Sequence, residues 1–216
     1  MTDPIGPTRG NQRHGEVDEN AKWALRQRLV AARRAVPAAV RKAETAALAE
    51  AALATTALAE APLAGPPGTV CAYWPVGSEP GAPELLDTLA RRGWRVLLPV
   101  VGAAAVPLDW AEYAGAGSLR AAPLGLLEPA GPRLGAAAIA TAALVLVPAL
   151  AVDRRGTRLG RGGGHYDRTL PLASPGTPLV AIVRDDEVLT CLPAQPHDVP
   201  VTAVLTPRRG LLPLPY

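Results

Sequence analysis

The residues best suited to chemistry lie between Val147 and Leu170, in the stretch VPALAVDRRGTRLGRGGGHYDRTL. An apolar, strand-like run from Ala143 to Pro148 leads into a charged turn at Asp153–Gly156. A loop follows with glycines at 160, 162, 163 and 164, flanked by Arg158 and Arg161, and then His165-Tyr166-Asp167-Arg168 opens a predicted helix. A strand, a glycine-rich loop and a helix start together form an anion cradle. Glycines let backbone N–H groups turn inward, and the first turn of a helix adds unpaired donors. Arginine adds a fixed positive fork that matches phosphate oxygens. Asp167 would repel a bare phosphate, so its presence points to a cation such as Mg²⁺ between the two. A solvated turn can use the same residue types. The string is not a Walker A loop, because no Gly-Lys-Ser/Thr follows. Nor is it a dinucleotide fingerprint, because Asp153–Gly156 separates the strand from the glycines. The residues alone leave a phosphate site and a structural turn both open.

The elements that must position this loop can be read along the chain. Residues 1–18 are polar and without period, which predicts a disordered tail. From Glu19 the pattern is helical, with Trp23, Leu25, Leu29 and Val30 set against Lys22, Arg26, Arg28, Arg33 and Arg34. Lys22 and Arg26 are four apart and share a face, by default a solvated basic one. Pro37 starts a second, alanine-rich helix expected to run to about Glu60. A turn at Pro62–Gly68 precedes the predicted strand Thr69–Trp74. The loop PVGSEP with Glu79 then leads to a helix ending near Arg92. Further strands are expected at Arg95–Val101, Pro107–Trp110, Leu144–Pro148 and Leu179–Val183. Strands alternating with helices predict an α/β fold: one domain with a largely parallel sheet covered by helices on both faces and ligand loops at the strands' carboxyl ends.

Bulk properties narrow the function classes. The 216 residues suit one domain, and with no Phe, four Trp and four Tyr the core must be built from Leu, Val and Ala. A net charge of +3, with no basic run interleaved with aromatics, suits a small polyanion and argues against nucleic acid. No apolar run is long enough to cross a bilayer. Cys71 and Cys191 lack metal-ligand spacing and read as reduced core thiols of a cytoplasmic protein.

The string PALAVDRRGTRLGRGGGHYDR resembles the signature of the 5-formyltetrahydrofolate cyclo-ligase family (5,10-methenyltetrahydrofolate synthetase), P-x-x-x-F/V-D-x-x-G-x-R-L-G-x-G-x-G-Y-Y-D. Pro148, Asp153, Gly156, Arg158, Leu159, Gly160, Gly162, Gly164, Tyr166 and Asp167 all fall in register. AKWALRQRL matches the family's N-terminal K-x-x-x-R, LRAAPLGLLEP its G-I-x-E-P loop, and LPAQPHDVPVTAVLTP its closing L-P-x-E-x-H-D stretch. The resemblance therefore runs from about Lys22 to Thr206.

The resemblance implies a Rossmann-like three-layer domain over residues 19–216. Its implied reaction is the ATP- and Mg²⁺-dependent closure of 5-formyltetrahydrofolate to 5,10-methenyltetrahydrofolate, by a monomer acting on small molecules. It assigns ATP to Lys22, Arg26, Arg158, Gly160, Arg161, Gly162, Gly163, Gly164, His165 and Tyr166. It assigns the folate to Trp74, Glu79, Gly125, Leu126 and Tyr166, with Glu128 and Pro129 completing the pocket loop. The metal falls to Asp167 and Asp198, next to His197, and the catalytic roles to Arg158, Tyr166 and Asp167. A carboxylate at Glu79 suits the adjacent N–H donors of a reduced pterin, although an acid ahead of a helix also serves its dipole.

Three positions depart from the family: His165 stands for a Tyr, Gly163 for a residue that is often Lys, and Thr202 for a common acid. They motivate a second reading, a non-catalytic or repurposed folate- or nucleotide-binding relative. A third is a sugar-phosphate isomerase or acyl-transfer enzyme using Glu79 or Asp198 as acid/base, which leaves the arginine-rich loop unexplained.

Overall fold

The computed structural model describes residues 9–54, 68–103, 105–195 and 198–215, with side chains from 19 onward except at 54 and 124. Helix α1 spans Arg9–Ala35 and α2 spans Ala38–Ala54. Strand β1 (Thr69–Cys71) leads through a loop to α3 (Pro83–Arg91), then to β2 (Arg95–Val100) and β3 (Asp109–Glu112). A hairpin of β4 (Leu119–Ala121) and β5 (Leu127–Pro129) precedes β6 (Ala142–Pro148). Short strands β7 (Ala151–Asp153) and β8 (Arg158–Leu159) run into α4 (His165–Thr169). The chain finishes with β9 (Leu179–Ile182), β10 (Val188–Leu189), β11 (Ala203–Thr206) and β12 (Gly210–Pro213).

Seven strands form the main sheet in the order β12-β11-β9-β6-β1-β2-β3. The five inner strands are parallel, and β3 and β12 pair antiparallel at the edges. Inner strands buried on both faces need continuous apolar sequence, and RVLLPV and AALVLVP supply it. The strand period of two sorts these side chains. Val70, Val96, Leu98, Leu144, Leu146, Val180 and Leu205 face Leu48 of α2 and Leu85, Leu86 and Leu89 of α3. Cys71, Leu97, Val145, Val147, Ala181 and Val204 face the other way. There the cover is a 3₁₀ segment, Ala136–Thr141, with Leu170 after α4, so long helices clothe only one face.

In α3, Pro83 opens the first turn, where its missing N–H costs nothing, and Glu84 complements the dipole. Gly93, at φ 85°, then turns the chain into β2. Helix α1 starts at Arg9, ahead of the expected Glu19, and the first eight residues lie outside the described set. The end expected for α2, near Glu60, and most of the Pro62–Gly68 turn also lie outside it.

One expectation needs correcting. Cys71 is a core thiol whose pKa burial pushes up to about 12, but Cys191 is exposed and accepts a hydrogen bond from Arg155 Nη2 at 2.8 Å. Its place in the loop after β10 removes it from the sheet that buries Cys71.

A second sheet, β10-β7-β8, sits beside the carboxyl end of β6. The turn joining β7 to β8 is organised by Asp153, which is fully buried and accepts the N–H groups of Arg155, Thr157 and Leu192. Gly156 in that turn has φ 89°, and a Cβ there would lie 2.4 Å from the Val201 carbonyl oxygen. Asp153 and Gly156 of the motif are thus architectural: they pin the loop that leads to residue 198.

Candidate active site

From β1 the chain steps to β2 on one side, while β6, β9 and β11 step outward on the other. The strand order therefore reverses between β1 and β6, where a doubly wound sheet opens a crevice at its carboxyl edge. A cleft of about 530 Å³ lies there, lined by Tyr73 and Trp74 after β1, Pro99 and Val101 at β2, and Pro148–Leu150 after β6.

Residues 160–164 cross this cleft between β8 and α4. Gly162 takes φ 102° and Gly164 takes φ 63°, conformations that other residues rarely adopt. Among the described residues, no hydrogen bond is donated by the N–H groups of residues 160–164, which leaves a row of donors at the cleft. Arg158 is 8% exposed, and its Nη2 donates to Asp167 Oδ1. Arg168 Nη2 holds the Gly163 carbonyl at 2.6 Å. Thr169 Oγ1 donates to the His165 carbonyl and accepts the Leu108 N–H, tying α4 to the segment before β3.

Helix α1 closes the cleft from another side. Lys22, Arg26, Leu29 and Arg33 follow the i, i+4, i+7, i+11 spacing of one face. Lys22, 6% exposed, reaches Asp198 at 3.5 Å. Arg26 Nε donates to the Gly160 carbonyl at 3.1 Å. Asp198 accepts the Gln195 N–H at 2.8 Å, which fixes its carboxylate toward Lys22. Arg33 anchors the helix: its Nε and Nη2 donate to the two Glu187 oxygens at 2.6 and 2.8 Å, and Nη2 also holds the Ala149 carbonyl at 2.6 Å.

Glu79 stands in the loop after β1. Its Oε2 accepts the Val76 N–H at 3.1 Å, and Tyr73 donates to the next carbonyl, Pro80, at 2.6 Å. A Cβ on Gly81 would meet Pro75 at 2.9 Å, so glycine is what lets the loop fold back this tightly. Glu79 Oε1 meets Arg161 Nε at 2.8 Å. Trp74, Leu108, Leu126 and Leu127 give this part of the cleft an apolar lining.

Three buried polar atoms beside the glycine loop have no partner among the described residues: Arg158 Nε, His165 Nδ1 and the Tyr166 hydroxyl. Native proteins rarely leave such groups unsatisfied, and a cluster of them beside a cleft fits a polar ligand. Burial, reinforced by the negative charge of Glu79, pushes the Tyr166 pKa far up, so its phenol remains a protonated donor. Asp167 and Asp198 both line the cleft, and no group of three or more His, Cys, Asp or Glu side chains gathers among the described residues. Mg²⁺ takes carboxylate, water and phosphate oxygens, so these two carboxylates are residues that could hold it.

Among the residues singled out from sequence, Lys22, Arg26, Trp74, Glu79, Leu126, Arg158, Gly160–Asp167 and Asp198 all line this one cleft. Gly125, exposed at φ 74°, lies just outside the lining, and His197 lies outside the described residues. Thr202 is remote from the cleft: its hydroxyl donates to the Leu179 carbonyl and accepts the Leu179 N–H, clasping the start of β9. The other two departures fit together, since a Cβ on Gly163 would lie 3.0 Å from the His165 ring. Sequence reading missed Arg33 and Glu187. Arg33 was grouped with the polar side of α1, and its i+11 spacing from Lys22 was the signal that could have placed it inward.

A family model described as the 5-formyltetrahydrofolate cyclo-ligase family matches residues 18–207. The chain belongs to this family. A 5-formyltetrahydrofolate cyclo-ligase of Mycolicibacterium smegmatis is 52% identical over 202 residues, 92% of this chain and 100% of the relative. An Escherichia coli cyclo-ligase is 32% identical over 143 residues, 65% of this chain and 79% of its own. The fold agrees with the NMR structure of Aquifex aeolicus 5,10-methenyltetrahydrofolate synthetase at a TM-score of 0.71 and 22% identity, covering 89% of this chain and 92% of that one. A Mycoplasma pneumoniae 5,10-methenyltetrahydrofolate synthetase matches at 0.64 and 19% identity, covering 85% and 96%. This cyclo-ligase-family chain is an enzyme of folate metabolism in the ligase class. No helix among its described residues is long and apolar enough to cross a membrane.

Proposed function

We propose that the protein closes 5-formyltetrahydrofolate to 5,10-methenyltetrahydrofolate, consuming ATP with Mg²⁺ and releasing ADP and phosphate. The observation that carries this reading is the meeting of two unlike half-sites in one cleft. One is an arginine-lined glycine loop with open N–H donors and orphaned polar atoms; the other is an apolar wall with a fixed carboxylate.

The reaction's difficulty is that the formyl oxygen leaves poorly. In the proposed course, that oxygen takes the γ-phosphoryl group, N10 attacks the formyl carbon and loses its proton, and the oxygen departs within inorganic phosphate. Phosphoryl transfer of this kind needs alignment and neutralisation of charge more than a protein nucleophile. Arg158, Arg161, the loop N–H groups, Lys22 and Arg26 would hold the phosphates, with His165 beside them. Asp167 and Asp198 would hold Mg²⁺, which neutralises phosphate charge. Tyr166, protonated throughout, would donate a hydrogen bond, and Glu79 would accept the N–H pair of the pterin.

The ion pairs Arg158–Asp167 and Lys22–Asp198 support this assignment, because each phosphate-binding cation is stored against a metal-binding carboxylate. We take the enzyme to act as a monomer in the cytoplasm. Two of the three departures weigh less for the binding-only alternative. Thr202 belongs to a strand clasp, and Gly163 makes room for His165.

The test is to mix protein, Mg²⁺-ATP and 5-formyltetrahydrofolate and follow the near-ultraviolet absorbance of the methenyl product, omitting ATP or metal in controls. The expected result is a rise that needs both. Nucleotide binding without product or ADP would refute the proposal in favour of a binding module.

A further inference from the structure

Arg161 and Glu79 belong to different half-sites on the proposed reading, on which this inference rests. Yet Arg161 Nε lies 2.8 Å from Glu79 Oε1. The carboxylate cannot turn aside, because its other oxygen accepts the Val76 N–H and its loop is held by Tyr73. Arg161 differs in this respect. Its side chain is 55% exposed, and it sits between Gly160 and Gly162, in a loop whose glycines free the backbone.

The chemistry of the contact is specific. The recognition edge of a pterin is a cyclic guanidine, in which a ring N–H and an exocyclic amino group form a planar pair of donors. The arginine head group is also a planar guanidinium donor fork, and carboxylates receive both shapes alike. Arg161 therefore brings to Glu79 a planar guanidinium of the kind the folate would bring, held there as an ion pair through Nε. The same guanidinium is one of the cations on the phosphate loop, and phosphate oxygens compete for its fork.

We propose that Arg161 is an internal stand-in for the pterin, and that nucleotide phosphates draw it off Glu79 and open the folate half-site. Nucleotide and folate then bind with positive coupling, and linkage makes the coupling equal in both directions. An ion pair with one half-exposed member is weak, so the coupling is modest, about two- to fivefold in affinity.

The test uses the full-length protein and isothermal titration calorimetry. 5-Formyltetrahydrofolate is titrated into wild type and Arg161→Met, with and without Mg²⁺ and a non-hydrolysable ATP analogue. The wild type is expected to bind folate about two- to fivefold tighter with the analogue. Arg161→Met is expected to bind it equally well in both conditions, at the tighter value. The reverse titration, analogue with and without folate, should show the same factor in wild type and none in the variant. Equal coupling in both proteins, or folate affinity without nucleotide that does not rise in Arg161→Met, overturns the inference while leaving the proposed reaction intact. A wild type that binds no folate at all overturns both.

Discussion

Two ion pairs of nearly equal length set up a test of how this protein holds its first helix. Arg33 meets Glu187 at 2.6 Å with side chains 2% and 4% exposed, and Arg95 meets Glu112 at 2.9 Å with side chains 46% and 55% exposed. Coulomb attraction alone would rank them alike, so burial must separate them. Glu187→Gln keeps the shape and one acceptor oxygen but leaves the Arg33 guanidinium enclosed without a countercharge, beside the Ala149 carbonyl and a neutral amide. Breaking a buried pair in this way costs about 3–5 kcal/mol. For a chain of this size each kcal/mol moves the unfolding midpoint by roughly 2–4 °C, so the expected fall is about 6–20 °C. Glu112→Gln removes a solvated pair worth about 1 kcal/mol or less, and its midpoint should fall by no more than about 4 °C. Thermal unfolding followed by circular dichroism compares the three proteins directly. If Glu187→Gln melts no lower than Glu112→Gln, the reasoning from burial is wrong. Below its midpoint, the same variant should raise KM for ATP more than KM for the folate, because Arg33 anchors the helix that brings in Lys22 and Arg26.

Three further outcomes are expected. Arg158→Ala should weaken binding of the non-hydrolysable ATP analogue by roughly 10- to 100-fold in calorimetry, the loss of a charge-assisted hydrogen bond of about 1.5–3 kcal/mol; unchanged affinity would remove Arg158 from the phosphate site. Gly156→Ala should cost about 1–2 kcal/mol from its positive φ alone, and more as the Val201 carbonyl is pushed aside, read as a lowered unfolding midpoint. At Asp185, burial pushes the pKa up, but hydrogen bonds from Thr206 and from the Arg208 backbone and side chain outweigh it, so the carboxyl sits below its ordinary 3.8. The stability it contributes is complete above 3.8 and is lost as pH falls through the lower folded value. Urea titrations should therefore show the gap between wild type and Asp185→Asn closing on acidification below that point, and a gap that is constant with pH would contradict this.

Much of the architecture was legible because it repeats locally. Val70, Leu97, Leu144 and Val180 sit in apolar runs long enough to announce buried strands, and α1 and α3 show helical spacing. The glycine loop was legible because several residue types recur at fixed offsets. Strands β7, β8 and β10 were not, since two or three residues are too few to display a period. The charged turn at Asp153–Gly156 was legible, but the short ladder on either side of it was not. Arg33 stayed hidden because its partner lies 154 residues away. Charge on a helix reads as solvated until something shows what faces it. Cys191 misled for the converse reason: a small apolar residue in a loop between short strands carries no periodic mark of which way it points.

The spacing of Lys22, Arg26 and Arg33 along α1 locks the middle of that helix in phase with its C-terminal end. A straight helix turns by 100° and rises by 1.5 Å per residue, so the rotational setting of the two cleft cations is dictated by the anchor about two and three turns further on. Deleting or inserting one residue between Arg26 and Arg33 would leave Arg33 seated on Glu187 and the Ala149 carbonyl. Lys22 and Arg26 would then swing by more than a quarter turn away from Asp198 and Gly160. Substitutions on the outward face of the same segment leave that phase untouched. The length of this stretch is therefore a stricter requirement than its composition, and drift in this family should be written there as replaced letters, with the count of residues held constant.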